Sequence, residues 1–387
     1  MKQGWEYKRF DEVFNLQMGK TPDRKNPEYF GGKNVWISIR DLGDKDVSES
    51  YEHITDIAVS DTNIRKVNKG TVIMSFKLTV GKCGIAAKDL YTNEAIMAFN
   101  TKESYDINPS FLYYYLQCYN WKGSNKAVMG ITLNKATISK QYINIPPKST
   151  QLAIVSELDK INELIRLKKE QLKDYDNLAQ SIFYQMFGDP VENEMGWEVK
   201  KWGDLFHTIL GKMLDKSKQI NNSSQYKYLA NINVQWGYFD FSDLRSMSFT
   251  DKELTKYELK TNDLLLCEGG EAGRCAIWNE TNEIILFQKA IHRARLIDKN
   301  SADVLYIRYW MQFYKKNNGL KDYISKSTIE HLTGEKLKKL PIPLPPLPLQ
   351  QLFAQRIEQI EKQKAEVQKA IADLETLLAS RMQYWFE

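Results

Sequence analysis

Trp5-Glu6-Tyr7-Lys8-Arg9 is written a second time as Trp197-Glu198-Val199-Lys200-Lys201, 192 positions further along the chain. At the same shift Phe14 meets Phe206, Gly19-Lys20 meets Gly211-Lys212, and Trp36-Ile37 meets Tyr228-Leu229. Val72-Ile73-Met74 meets Leu264-Leu265-Leu266, and Gly81-Lys82-Cys83 meets Gly273-Arg274-Cys275. The shift becomes 195 where Ala95-Ile96 meets Ala290-Ile291, Tyr113-Tyr114 meets Arg308-Tyr309, Gln117 meets Gln312 and Tyr119 meets Tyr314. It reaches 199 where Pro146-Pro147 meets Pro345-Pro346 and Phe187 meets Phe386. The blocks keep their order while small insertions accumulate between them, as loops tolerate. The chain is one unit written twice.

Each unit has two parts. The first mixes short β-like runs (Val35–Ile39, Thr71–Phe76 and Asp263–Cys267) with one aromatic helical stretch, Phe111–Tyr119 or Val304–Tyr314. With glycine and asparagine breaks between them, these patterns predict an α/β (mixed α+β) domain. The stripe Tyr113, Tyr114, Tyr115 reads as helix-to-sheet packing rather than as a base-stacking surface.

The second part follows prolines that end a strand, Pro146-Pro147 and Pro341 to Pro346. Steps of four and three then run through Ile154, Leu158, Ile161, Ile165, Lys168, Leu172, Tyr175, Ala179, Ile182 and Met186. The repeat gives Phe353, Ile357, Ile360, Lys364, Val367, Ile371, Leu374, Leu378, Arg381 and Trp385. Such a seam over about five heptads predicts a coiled coil. Gly188-Asp189-Pro190 ends the first helix. A lone amphipathic helix of this length cannot bury its seam, and the nearest partner is its own repeat. The expected architecture is therefore two α/β globular domains, 1–150 and 188–346, in a pseudo-two-fold arrangement. An antiparallel coiled coil of two helices, 151–187 and 347–387, would separate them. The alternative is two separate helices, each packed on its own domain or on another protein.

Composition narrows the function classes. A chain of 387 residues exceeds one ordinary core, and 42% hydrophobic with 27% charged residues is a globular mixture. No apolar run approaches the roughly 20 residues that cross a bilayer, and MKQGWEYKRF carries no apolar signal core, so no membrane role is expected. Cys83, Cys118, Cys267 and Cys275 form no CxxC pair, and the four histidines stand far apart. That argues against a metal cluster or a disulfide framework and for a reducing cytoplasm. The net charge of +5 permits nucleic-acid binding without demanding it.

The chain resembles the specificity (S) subunits of Type I restriction–modification enzymes over its whole length. The resemblance rests on the tryptophan-led start of each copy and on Gly19-Lys20-Thr21-Pro22. It also rests on the apolar block before Gly-Lys/Arg-Cys (70–83, 262–275) and the Pro-Pro-x-x-x-Gln start of each long helix (146–152, 345–352). It implies two target recognition domains, each reading one half of a bipartite double-stranded DNA target. It further implies a coiled-coil spacer docking two methyltransferase (modification) subunits, with restriction endonuclease subunits joining through that complex. The second copy departs from the pattern with Met213-Leu214 after its Gly211-Lys212, which fits two different half-sites. Without the resemblance, a rod holding two similar domains suits duplex DNA, and equally a symmetric protein partner scaffolded with no DNA role.

No catalytic constellation is expected, and no cofactor. Asn144-Ile145-Pro146-Pro147 is split by isoleucine where a methylating enzyme needs Asn-Pro-Pro-aromatic, and the first glycine of a phosphate loop ending at Gly19-Lys20 would fall on Phe14. Asp251, Glu253 and Lys256 read as an exposed helix, and Glu268-Gly269-Gly270-Glu271-Ala272-Gly273 is acidic where a phosphate cradle is not. DNA contact calls for long cations and amides. The candidates are Lys20, Arg24, Lys25, Arg40, Lys77 and Lys82 in the first copy. In the second they are Lys212, Lys216, Lys218, Arg274, Gln288, Lys289, His292 and Arg293. Lys82 and Arg274 share a repeat position beside a glycine, which lets a ligand approach closely. Gln288-Lys289 and His292-Arg293 interrupt an apolar β-like run. The basic run Arg166-Leu167-Lys168-Lys169 reads as a solvated helix face.

Overall fold

The computed structural model of the chain describes residues 4–121, 125–127, 130–213, 225–279, 283–326 and 330–387. Two compact units emerge: residues 1–169 with 369–387, and residues 170–368. The division falls inside both long helices, Lys148–Phe187 and Leu347–Phe386, each of 40 residues. Each is roughly 60 Å long at about 1.5 Å per residue.

In the first unit a five-stranded sheet runs in the order Phe14–Met18, Ile96–Thr101, Val72–Ser75, Cys83–Ala86, Asp46–Val47. Pairing is antiparallel except for the last pair. Val72 and Met74 face one core, which holds Phe10, Phe14, Phe99, Phe111 and Leu116. Ile73 faces the other, with Val35, Ile37 and Ile96. Burial on both faces is why these strands read as continuous apolar runs and not as alternating ones. The helix Pro109–Cys118 packs on the first face; Tyr114 and Tyr115 are buried there, as expected of the tyrosine stripe.

The second unit repeats the plan. Its sheet order is Phe206–Leu210, Ile291–Leu296, Leu264–Cys267, Cys275–Ile277, all antiparallel. Leu264 and Leu266 face the core under helix Val304–Lys316, while Leu265 and Cys267 face the other. Each unit also carries a three-stranded sheet of one pattern. Phe30–Ile37 pairs antiparallel with His53–Ile54 and parallel with Tyr91–Thr92; Gln225–Leu229 pairs so with Arg245–Ser248 and Ile285–Phe287.

The motif at the start of each long helix has a structural explanation. Gln151, 1% exposed, accepts from the Asn108 amide at 2.8 Å and donates to the Asp106 and Pro146 carbonyls. Gln350, fully buried, accepts from the Asp303 amide at 2.9 Å and donates to the Pro345 carbonyl. Asn108 and Asp303 are the N-caps of the two domain helices. One buried amide thus ties the start of a long helix to the start of a domain helix, and its removal would strand backbone donors.

Within each unit the halves of the two long helices run antiparallel. In the first, Arg381 and Trp385 donate to Glu157, and Lys169 to Glu375. In the second, Lys364 donates to Asp176 at 2.8 Å, and Phe353 packs between Phe183 and Phe187. Of the expected seam, Ile154, Leu158, Ile161, Ile165, Phe353, Ile357, Ile360, Val367 and Ile371 are buried. Leu172, Ile182, Leu374 and Leu378 are half-buried. Past Ala179 the buried positions become Phe183 and Phe187, one residue beyond Ile182 and Met186. There the helix covers Tyr306 and Phe313 of its domain as well as Phe353, so a broad aromatic face replaces the narrow seam.

Candidate nucleic-acid interface

In the first unit, four of the expected cations gather around the strand carrying Trp36. The Lys20 carbonyl accepts from the Trp36 indole at 3.1 Å, and its exposed amine donates to the Thr62 carbonyl. The Arg24 guanidinium lies 5.0 Å over the Trp36 ring and 4.8 Å over Phe30, and grips Glu52 with both arms at 2.7 and 3.0 Å. Arg40 donates to the same carboxylate at 2.9 Å and stacks 4.0 Å from the Tyr51 ring. The Arg24 hydrogen bond holds the Glu52 carboxyl below the usual carboxylate range, and Glu52 in turn raises Arg24. Glu52 therefore fixes two exposed guanidinium groups in defined orientations. Lys82, half-buried, donates to the Ile39 carbonyl at 3.2 Å, in the turn that also carries Arg40. Lys25 is exposed with no side-chain partner among the described residues. Lys77 stands on the loop that leads to Lys82, 5.5 Å over Phe76.

The second unit builds the matching surface with other side chains. Lys212 donates to the Ser248 carbonyl at 2.8 Å and to Glu253 at 2.7 Å, and sits 4.8 Å over Phe249. Burial alone would raise the Glu253 carboxyl; the Lys212 and Thr250 hydrogen bonds outweigh it and hold the group below its ordinary range. Gln288 and Lys289 occupy a turn joined to Lys212 by its backbone: the Lys289 amide donates to the Lys212 carbonyl at 2.8 Å. Lys289 is exposed. Arg274 donates to the Asn231 carbonyl at 2.8 Å and to Glu271 at 3.2 Å. Lys216 and Lys218 lie outside the described residues.

His292 and Arg293 sit elsewhere. Both lie on the central strand Ile291–Leu296, 2% and 5% exposed. His292 Nε2 donates to the Leu332 carbonyl at 3.1 Å, and burial lowers the imidazole from its ordinary value. Arg293 donates to the Lys256 and Glu258 carbonyls, closing the end of helix Asp251–Tyr257. The apolar run they interrupt is two strands joined by the turn at 288–290, which the sequence pattern alone does not separate.

Gly19 and Gly211 explain the recurring Gly-Lys. A Cβ at either position would lie 2.2 or 2.3 Å from a backbone carbonyl oxygen, of Thr92 or Gln288. The glycine lets two strands cross closely, and the lysine that follows comes out beside them, exposed at Lys20 and half-buried at Lys212. Sequence reasoning missed the acidic partners Glu52 and Glu253 and the Arg295–Asp263 fork at 2.6 Å, because their pairing joins segments distant in sequence. Among the described residues no group of histidine, cysteine and carboxylates has metal-site geometry, and no helix is long and apolar enough to cross a membrane. Burial pushes the Cys267 thiol up to about 11 and Cys275 up to about 12.

The chain is similar to known proteins over nearly its whole length. It is 23% identical over 400 residues to the Type I restriction enzyme MjaIX specificity subunit of Methanocaldococcus jannaschii, covering 96% of this chain and 90% of that protein. It is 23% identical over 250 residues to the EcoKI specificity subunit of Escherichia coli, covering 59% of this chain and 52% of that protein. Among solved structures, a chain from work on complex assembly and conformational transition of the type I R-M system superposes with a TM-score of 0.64. Its identity is 17%, over 100% of this chain and 98% of that one. The S subunit from M. genitalium superposes with a TM-score of 0.52 at 13% identity, over 99% and 96%. The family model for the Type I restriction modification DNA specificity domain matches twice, at residues 2–174 and 194–376, so each written copy is one such domain. The chain belongs to the specificity-subunit family of Type I restriction–modification systems, a family that is non-catalytic.

Proposed function

We propose that the chain is the sequence-reading subunit of a Type I restriction–modification complex, with domain 1–150 reading one half of a bipartite duplex target and domain 188–346 the other. In this reading the paired helices, 151–187 and 347–387, set the spacer and dock two methyltransferase subunits. Restriction endonuclease subunits join through those, in the cytoplasm. The observation that carries it is the matched surface of the two units: one backbone plan presents Lys20, Arg24 and Arg40 in the first and Lys212, Gln288 and Lys289 in the second. Same scaffold with different side chains is what two unlike half-sites require. Exposed Lys25 and Lys289 suit phosphates, and the N–H groups of Arg40 and Arg24 that Glu52 leaves free suit acceptors on guanine edges. Lys82 and Arg274 hold the turns that border this surface, and Lys77 stands on the loop beside Lys82 as a further cation for the duplex. His292 and Arg293 serve the fold beneath it.

The test is competitive binding by the chain assembled with its methyltransferase subunits. A split sequence should compete better than random duplex, with affinity falling steeply as salt rises through counterion release. Equal competition by random duplex would sink sequence reading. Absence of any duplex binding would favour a protein scaffold.

A further inference from the structure

The second unit contains a cleft of about 1790 Å³ between its parts of the two long helices and its globular domain. Arg308, on helix Val304–Lys316, lines it and is 7% exposed. Its Nε is shut away from solvent without a partner, and its guanidinium makes no hydrogen bond or ion pair among the described residues. The group is nonetheless held in place. The Tyr309 ring lies 4.2 Å from Cζ, and Gly237, at φ +82°, leaves room where a Cβ would fall 2.4 Å from Nη2. One helical turn on, the Gln312 amide oxygen is buried in the same cleft and also lacks a partner.

The other buried or half-buried cations at this cleft are paired, while Lys299, Lys316, Lys362 and Glu358 are exposed and carry no ion pair among the described residues. Arg295 is forked to Asp263, and Lys364 is bonded to Asp176 and Glu361. The outer nitrogens of Arg308, Nη1 and Nη2, are not shut away with Nε, so the fork is open to the cleft without an anion from the chain, an arrangement suited to an anion from outside. The first unit shows the closed version. Position 113, which the repeat aligns with 308, is tyrosine, and the cation beside it, Lys45, is paired with Asp159 of the long helix.

We propose that this cleft is a carboxylate-binding site, with the Arg308 fork gripping the carboxylate and Gln312 accepting from an N–H or O–H beside it. The planar fork suits bidentate oxyanions, and the one unpaired buried charge, with the Glu358 carboxylate also at the cleft, favours a singly charged carboxylate over a doubly charged phosphate. A duplex phosphate rides on a wide convex rod and cannot follow a guanidinium buried this far. The carboxylate is either free or carried on an acidic side chain of another protein. The inference stands without the DNA-reading proposal.

The test titrates the full chain with sodium malonate and, separately, with N-acetyl-glutamate N-methylamide, replacing chloride at constant ionic strength. The readout is the Arg308 Nε–Hε NMR signal, assigned from the Arg308→Lys spectrum. At least one probe should shift it saturably, bind at least tenfold more tightly than inorganic phosphate, and lose that binding in Arg308→Met, where binding is read by isothermal titration calorimetry run in parallel on the wild type. Tighter binding of the glutamate derivative identifies a chain-borne carboxylate, and tighter binding of malonate a free one. No saturable shift with either probe overturns the proposal. So does tighter binding of phosphate, or undiminished binding by Arg308→Met.

Discussion

Lys82 and Arg274, 192 positions apart, make the same bond. Lys82 Nζ donates to the Ile39 carbonyl at 3.2 Å and Arg274 Nη2 to the Asn231 carbonyl at 2.8 Å, and Ile39 and Asn231 are separated by the same shift. Each cation pins the turn that leaves the end of the small sheet, Ile39–Asp41 or Asn231–Asn233. The glycine before it, Gly81 at φ +88° or Gly273 at φ +86°, makes the bend that aims it. A cation with a structural duty should report in stability. Arg274→Met is expected to cost about 1.5–3 kcal/mol, the range for a hydrogen bond from a charged group, read from urea denaturation. A variant as stable as wild type would free Arg274 from that duty.

The slip of the seam near the end of the first long helix makes a paired prediction. Phe183, buried among Phe353, Tyr306 and Phe313, should cost about 3–5 kcal/mol when cut to alanine. Half-buried Ile182 should cost less than Phe183, although the regular four-three pattern assigns the seam to Ile182. Denaturant melts of Phe183→Ala and Ile182→Ala in parallel decide it, and the reverse order would restore the regular seam.

That slip also marks how far the sequence could be read. The two copies, their sheets and the long helices were legible because repetition and periodicity are local properties of the string. Gln151 was legible as a motif but not as a clamp, because its partner, the Asn108 amide, is 43 residues away. Arg24 and Arg40 could be chosen as surface cations, but not as a pair, since only the fold brings Glu52 between them. Arg293 looked like a polar break in a β-run. A strand buried on both faces can still carry an arginine when backbone carbonyls at a helix end meet its fork, and no pattern along the chain reveals those carbonyls.

His292 gives the second unit a pH dependence. Burial lowers the folded imidazole below its ordinary value of 6.5, so the unfolded chain binds the extra proton first. Its contribution to stability is complete above about pH 6.5 and is lost as pH falls below that value toward the folded pKa. His292→Gln keeps a donor for the Leu332 carbonyl and removes the titration. Its melting temperature should fall less than that of wild type between pH 7 and pH 5. Parallel profiles for the two proteins would remove His292 as the cause.

The central claim is that two equivalent domains read two different DNA half-sites. Methylome sequencing of a host carrying this gene with its methyltransferase partners tests it most directly, comparing wild type with an Arg24→Ala/Arg40→Ala variant and a Lys212→Ala/Lys289→Ala variant. A split motif is predicted, with each variant losing or relaxing a different half while the other half and the spacer stay unchanged. A continuous motif, or variants that each disturb both halves, would contradict it.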